Sequence, residues 1–169
     1  YTSGTSDRPK GVVLTHCNLS SNHQQTRHIL NDQLDESKCG LCVIPLQHIV
    51  GVSFCLMLLS AGAHVVLSTL AELITKPKNL QQYPLNILAG IPSFYNEILQ
   101  HDATAHLIKN MELFLCGGSF ASRTLQEKWL SLTGRNLCEA FGLSETAALV
   151  SVNPPQRFRV GSVGVVLPN

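Results

Sequence analysis

The stretch Tyr1-Thr2-Ser3-Gly4-Thr5-Ser6-Asp7-Arg8-Pro9-Lys10-Gly11 is the most informative in the chain. Four hydroxyl side chains, Thr2, Ser3, Thr5 and Ser6, surround Gly4, and Lys10 stands just before the β-branched run Val12-Val13-Leu14. Backbone N–H groups in such a turn, with small hydroxyls beside them, can cradle phosphate oxygens, and a lysine adds a point charge. A solvated Ser/Thr/Gly turn has the same composition, so the loop by itself leaves both readings open. It is not a Walker loop. That motif opens a helix directly after its lysine, whereas Lys10 is expected to lead into a strand over residues 11–15.

Outward from that loop the chain alternates. Asn18 is placed to cap a helix running to about residue 31. Residues 41–45 read as an apolar strand, 49–60 as a buried helix stopped by Ala61-Gly62, and 63–67 as a third strand. Residues 69–82 are polar and helical in part, interrupted by Pro77. A strand over 86–89 precedes a helix opened by Pro92. A strand over 111–116, an amphipathic helix over 122–132 closed by Gly134, and a short strand over 136–140 complete the pattern. Strands alternating with helices imply βαβ units and a mostly parallel sheet. Their near-continuous apolar character fits a sheet with helices on both faces. The fold class is therefore α/β. After Asn153-Pro154-Pro155 the pattern shifts to short, glycine-punctuated strands over 160–166. The expected division is a partial α/β domain over 1–155 and the start of a following β subdomain, cut short, over 156–169.

Composition narrows the function classes. Hydrophobic residues make up 44% of the 169 and charged residues 14%, which excludes disorder. Lys and Arg total 12 against 11 Asp and Glu, so nothing in the charge points to nucleic acid or an anionic surface. No signal peptide is visible. The most apolar stretch, residues 49–63, is shorter than the roughly 18 to 20 residues of a membrane span. The six cysteines sit mostly in apolar surroundings and fit a reduced, cytoplasmic protein. Cys39-Gly40-Leu41-Cys42 is a lone CxxC without a second ligand pair, and reads as entry to a buried strand. The first residue is Tyr1 rather than Met, within what reads as a motif, so these residues are expected to be part of a longer chain.

Residues 2–11 resemble the phosphate-binding signature TSGTTGxPKG of the adenylate-forming enzymes, which include acyl-CoA synthetases, peptide-synthetase adenylation domains and luciferases. The continuation Val12-Val13-Leu14-Thr15-His16, then Asn18-Leu19, is similar to their GVMLTHRNL. Further motifs follow in the family's order. Pro45-Leu46-Gln47-His48-Ile49-Val50-Gly51 resembles PLFHIYG, and Cys116-Gly117-Gly118-Ser119 resembles the SGGAP turn. Phe141-Gly142-Leu143-Ser144-Glu145-Thr146 resembles YGLTET, and Gly161-Ser162-Val163-Gly164 resembles GSVG. The run from Trp129 to the Asn153-Pro154 pair is most similar to bacterial long-chain fatty acyl-CoA synthetases.

The resemblance implies the central part of the large N-terminal domain of such an enzyme. It also implies a two-step reaction. A carboxylate attacks the α-phosphate of ATP to give an acyl-adenylate and pyrophosphate, and the thiol of coenzyme A then attacks the acyl carbon. The first step needs positioning and charge stabilisation, and no general base, because the carboxylate is already ionised. By the same resemblance Thr2, Ser3, Gly4, Thr5, Ser6 and Lys10 hold the β- and γ-phosphates. Glu145 is the magnesium-linked glutamate, Ser144 takes the threonine position near the α-phosphate, and Ala140, Phe141, Gly142 and Leu143 lie beside the adenine. Gly117 and Gly118 let backbone approach the nucleotide or acyl group, and His48 serves the acyl and adenylate pocket. Lys10, Glu145 and His48 are thus the candidate catalytic residues, and ATP, Mg²⁺ and coenzyme A the implied cofactor and substrates alongside a fatty acid. The alternatives are a ligase of the same family acting on a carrier protein, an aryl acid or an amino acid, and a non-catalytic remnant of the fold. Peripheral association with an inner membrane face stays open. The family's later ribose aspartate, hinge and C-terminal lysine domain do not occur within these residues, so the 169 residues alone are expected not to form acyl-CoA.

Three positions depart from the family pattern: Asp7 replaces a glycine, Gln47 an aromatic residue and Phe120 a proline. A carboxylate about 6 Å from a phosphate charge costs about 3 kcal/mol at an effective dielectric near 20. Arg8 and Lys10 offset part of that. Asp7→Gly is therefore expected to tighten ATP binding in a calorimetric titration. An unchanged or weaker affinity would remove the case for an impaired phosphate loop.

Overall fold

The computed structural model describes residues 1–2 and 9–168. Two expectations change at its first elements. Residues 11–15 form no strand; their neighbourhood contributes only an isolated antiparallel bridge between Thr2 and Lys10. Val13 is 92% exposed. A β-branched run makes a strand only when a partner offers a ladder, and here the run ends by serving the next helix. Helix α1 (His16–Leu30) is capped by Thr15, not Asn18. The Thr15 hydroxyl accepts from the Asn18 N–H at 3.1 Å, and the Asn18 side chain accepts from the Thr15 N–H at 2.9 Å. This reciprocal box satisfies two backbone donors that the first turn otherwise leaves open.

The remaining elements follow the alternating pattern. They are β1 (Cys39–Cys42), α2 (Ile49–Ser60), β2 (His64–Leu67), α3 (Leu70–Thr75), β3 (Ile87–Gly90) and α4 (Pro92–Ile98). Next come α5 (Ala105–Lys109), β4 (Leu113–Gly117), α6 (Arg123–Thr133), β5 (Leu137–Phe141), β6 (Ser151–Val152) and β7 (Val165–Val166). The buried helix expected over 49–60 is α2 to the residue, and α6 stops at Gly134, whose φ is +68°. Two elements carried too little periodicity to be read from the sequence: the five-residue α5 and the two-residue β6.

The sheet order is β2-β1-β3-β4-β5-β6-β7. The first five strands pair in parallel, and β6 and β7 add antiparallel. Residues 165–166, in the segment expected to begin a further subdomain, thus lie in the same sheet. Alternate strand residues divide the core into two layers. Leu41, Leu88, Phe114 and Leu137 face a cluster with Leu73, Tyr95, Ile108 and Trp129 from α3 to α6. Cys42, Ile87, Ala89, Leu115 and Cys138 face a second cluster with Leu30 of α1 and Phe54, Met57 and Leu58 of α2. Both faces being covered is the reason the strands read as continuous apolar runs rather than alternating ones.

Trp129 anchors the first layer. It is fully buried, with its ring edge-on to Tyr95 at 4.7 Å and to Phe114 at 5.0 Å between centroids. The Tyr95 hydroxyl lies 3.0 Å from the Leu88 carbonyl and 2.7 Å from that of Leu115, joining α4 to β3 and β4. Trp129→Ala is expected to cost about 3–5 kcal/mol, read as a lower urea midpoint at unchanged slope. Trp129→Phe is expected to cost clearly less, since it keeps most of the buried area. It also removes an Nε1 that has no hydrogen-bond partner among the described residues.

Candidate functional site

A cavity of about 480 Å³ opens where β3, β4 and β5 end. In parallel sheets the carboxyl ends of the strands leave a crevice that loops and helix termini line, and ligands bind there. Ala89 and Gly90 of β3, Leu115 to Gly117 of β4, Gly118, Ala140 of β5 and the following residues Gly142 to Glu145 form one wall. Asn22, His23 and Thr26 of α1 and Val50, Ser53, Phe54 and Met57 of α2 form the other.

Nine of the residues picked out from the sequence meet there: Thr2, His48, Gly117, Gly118, Ala140, Gly142, Leu143, Ser144 and Glu145. Two stand outside the lining. Lys10 is exposed, with its carbonyl accepting from the Thr2 N–H at 2.9 Å, and Phe141 is 46% exposed at the end of β5. Ser3, Gly4, Thr5 and Ser6, with Asp7 and Arg8, lie outside the described residues.

Local chemistry explains how these residues are held. Gly118 takes φ +81°, so the chain turns sharply off β4. That turn is fixed from β5: the buried Glu139 carboxylate accepts from the Ala121 N–H at 3.1 Å and from Gln126 Nε2 at 2.6 Å. Gly142 is set by close approach, since a β-carbon there would fall 1.5 Å from the Ala148 carbonyl oxygen. Its neighbours Ser144 to Thr146 form a single 3₁₀ turn, closed by the Thr146 hydroxyl, which donates to the Leu143 carbonyl and accepts from its N–H, both at 3.0 Å. The next two residues, Ala147 and Ala148, have φ of 56° and 107°. For residues with a β-carbon this backbone costs about 1 kcal/mol or more each.

His48 caps α2. Its Nδ1 accepts from the Val50 N–H at 3.2 Å. An accepting Nδ1 leaves the ring proton on Nε2, which makes His48 a hydrogen-bond donor at the cavity. The positive end of the twelve-residue α2 lies at the same wall. Cys116 also lines the cavity, but burial, helped by the Glu139 carboxylate, pushes its thiol far up, so it is wall rather than nucleophile. Glu145 is the single carboxylate among the described lining residues. Among the described residues no group of three His, Cys, Asp or Glu side chains could hold a metal ion. One carboxylate still suits magnesium, which takes most of its ligands from water and phosphate oxygens.

No role was legible in the sequence for Asn22, Ser53, His23 or Glu139. The first three sit on helices with no motif of their own. Glu139 left one signal, an acid in the otherwise apolar strand Leu137-Cys138-Glu139-Ala140.

A parallel α/β sheet with its pocket at the carboxyl edge defines a class of small-ligand-binding domain. Comparison with known proteins carries this further: the chain belongs to the AMP-binding enzyme family, which it matches over residues 1–169. It is 32% identical over 174 residues to a long-chain-fatty-acid–CoA ligase of Yersinia pestis, covering 100% of this chain and 31% of that protein. It is 29% identical over 196 residues to a malonate–CoA ligase of Arabidopsis thaliana, covering 99% of this chain and 31% of the relative. The crystal structure of ATP-bound MatB from Rhodopseudomonas palustris superposes with a TM-score of 0.78 at 26% identity, covering 99% of this chain and 33% of that one. The chain therefore spans just under a third of the length of these relatives. No helix among the described residues is long and apolar enough to cross a membrane.

His23 gives the site a pH signature. It is 6% exposed, lines the cavity, and its Nε2 has no hydrogen-bond partner among the described residues. Burial pushes its imidazole below the ordinary value of 6.5. The unfolded chain thus binds this proton more readily than the folded one, so the His23 contribution is complete above about pH 6.5 and is lost as pH falls below it. His23→Leu is expected to flatten the loss of stability between pH 7.5 and 5.5, measured by urea midpoints. An equally steep loss would place the acid sensitivity elsewhere.

Proposed function

We propose that the chain is the nucleotide- and acyl-binding centre of an ATP-dependent, AMP-forming ligase that joins long-chain fatty acids to coenzyme A. The observation that carries this is the convergence of Gly117, Gly118, His48 and the loop from Ala140 to Glu145 on one cavity at the carboxyl edge of the sheet. Its apolar share, Val50, Phe54, Met57, Ala89 and Leu115, suits an acid with an alkyl tail. The relatives include both fatty-acid and malonate ligases, and the apolar lining favours the former.

In this reading the acid's carboxylate oxygen bonds to the α-phosphorus as the bond to the β-phosphate oxygen breaks, and pyrophosphate leaves. Thr2, Ser3, Gly4, Thr5, Ser6 and Lys10 hold the departing phosphates. Ser144 donates to the α-phosphate, and His48 Nε2–H donates to the acid or to a phosphate oxygen. Ala140, Phe141, Gly142 and Leu143 flank the adenine. A magnesium ion on Glu145 would neutralise charge that builds on the phosphates. The thiol of coenzyme A then loses its proton to solvent and its sulfur bonds to the acyl carbon as the bond to the AMP oxygen breaks and AMP leaves. The first step is a displacement in which positioned charge, rather than proton transfer, lowers the barrier.

The test is ATP–pyrophosphate exchange by the protein in its full reading frame. A saturated long-chain acid is expected to drive exchange well above malonate or benzoate, and Glu145→Gln to lower it by about a hundredfold or more. Exchange driven best by malonate or an aryl acid would reassign the substrate. Full exchange by Glu145→Gln would remove the role given to that carboxylate.

A further inference from the structure

The turn that carries Ser144 and Glu145 is followed by backbone that local bonds hold only in part: the Ala147 and Ala148 N–H groups donate to the Ser144 and Leu143 carbonyls, both at 3.3 Å. Ala147 and Ala148 lie at positive φ, and such conformations persist only where surrounding groups over-determine them. Here the further groups come from the two helices of the opposite wall. Asn22 of α1 is 6% exposed. Its Nδ2 donates to the carbonyls of Thr146 at 3.3 Å and Leu149 at 2.7 Å, and its Oδ1 accepts from the Leu149 N–H at 3.3 Å. Ser53 of α2, also 6% exposed, donates to the Ala147 carbonyl at 3.4 Å. Three carbonyls and one N–H in the four residues after Glu145 are thus tied to α1 and α2. The partner set is specific: Asp at position 22 lacks the donors, and Leu lacks every polar atom.

We propose that Asn22, supported by Ser53, is a positioning residue for the edge of the cavity that bears Ser144 and Glu145. Asn22 clamps the strained backbone of Ala147 and Ala148, so the seating of α1 and α2 sets where the Glu145 carboxylate stands. The clamp is a property of the fold. Its consequence for turnover rests on the ligase reading above.

Two measurements test the clamp and its consequence separately. The first is hydrogen exchange followed by mass spectrometry. Asn22→Ala is expected to speed exchange over residues 142–150 by about tenfold or more, as the loss of three hydrogen bonds predicts. Exchange in β3 and β4 should stay unchanged. Adding Ala148→Gly, which relaxes the backbone that the clamp restrains, is expected to recover part of the protection. Unaltered exchange over 142–150, or equal acceleration throughout the sheet, would overturn the clamp. The second is kinetic, in the full reading frame: Asn22→Ala should lower kcat for ATP–pyrophosphate exchange about tenfold with KM for the acid unchanged, and Ala148→Gly should restore part of it. A raised KM for the acid at unchanged kcat would overturn the positioning role. If the unaltered protein catalyses no exchange with any acid, the ligase reading falls, and the hydrogen-exchange result alone decides the clamp.

Discussion

Parallel pairing of β1, β3, β4 and β5 is the constraint on which the rest depends. It brings the carboxyl ends of these strands to one edge of the sheet. Each strand must then be followed by a crossover, because a parallel neighbour cannot be reached by a tight hairpin. The crossovers supply the helices that cover both faces, and their first residues become the walls of the cavity. Gly118, His48 and the residues after Phe141 are functional candidates for this reason: each is where the chain leaves a strand at the same edge.

The cavity is built from two kinds of support. The β4 side is rigid. Gly117 ends a buried strand, and the turn after it is held by the buried Glu139 carboxylate through Ala121 and Gln126. The β5 side is restrained instead. Chain crossing leaves no room for a side chain at Gly142, and the backbone around Ala147 and Ala148, at positive φ, takes bonds both from its own turn and from α1 and α2. Where β6 and β7 turn back antiparallel, Asn153 closes the edge. Its fully buried side chain donates to the carbonyls of Arg159 at 2.7 Å and Ser162 at 3.0 Å, and accepts from the Arg159 N–H at 3.0 Å. Buried amides of this kind are expensive to leave unpaired, and each therefore specifies one arrangement of its loop.

Legibility tracked the length scale of the signal. The α2 helix was readable because nine of the twelve residues from Ile49 to Ser60 are apolar, and a run of that length between Pro45 and Gly62 admits little else. The strands β1 to β5 were readable from apolar runs between turn residues, with ends displaced by up to three residues, as in β1, expected over 41–45 and found at Cys39–Cys42. The run at residues 11–15 misled, because its β-branched side chains state a propensity and cannot state whether a partner strand exists. The five residues of α5 and the two of β6 are too short for any period to emerge. Among site residues, those with a role implied by a motif were found, while the roles of Asn22, Ser53 and Glu139 were not. Their roles arise from partners far away in the chain, such as Asn22 with Leu149.

The sequence by itself determined the α/β class, the alternation that makes the sheet mostly parallel, and membership of the AMP-binding family through motifs in fixed order. Those properties are written in local composition and spacing. The tertiary structure alone decided that β7 extends the same sheet and that α1 and α2 face the β5 loop across one cavity. These depend on which backbone groups find partners at a distance, and a hydrogen bond between residues more than a hundred positions apart leaves no mark on either neighbourhood.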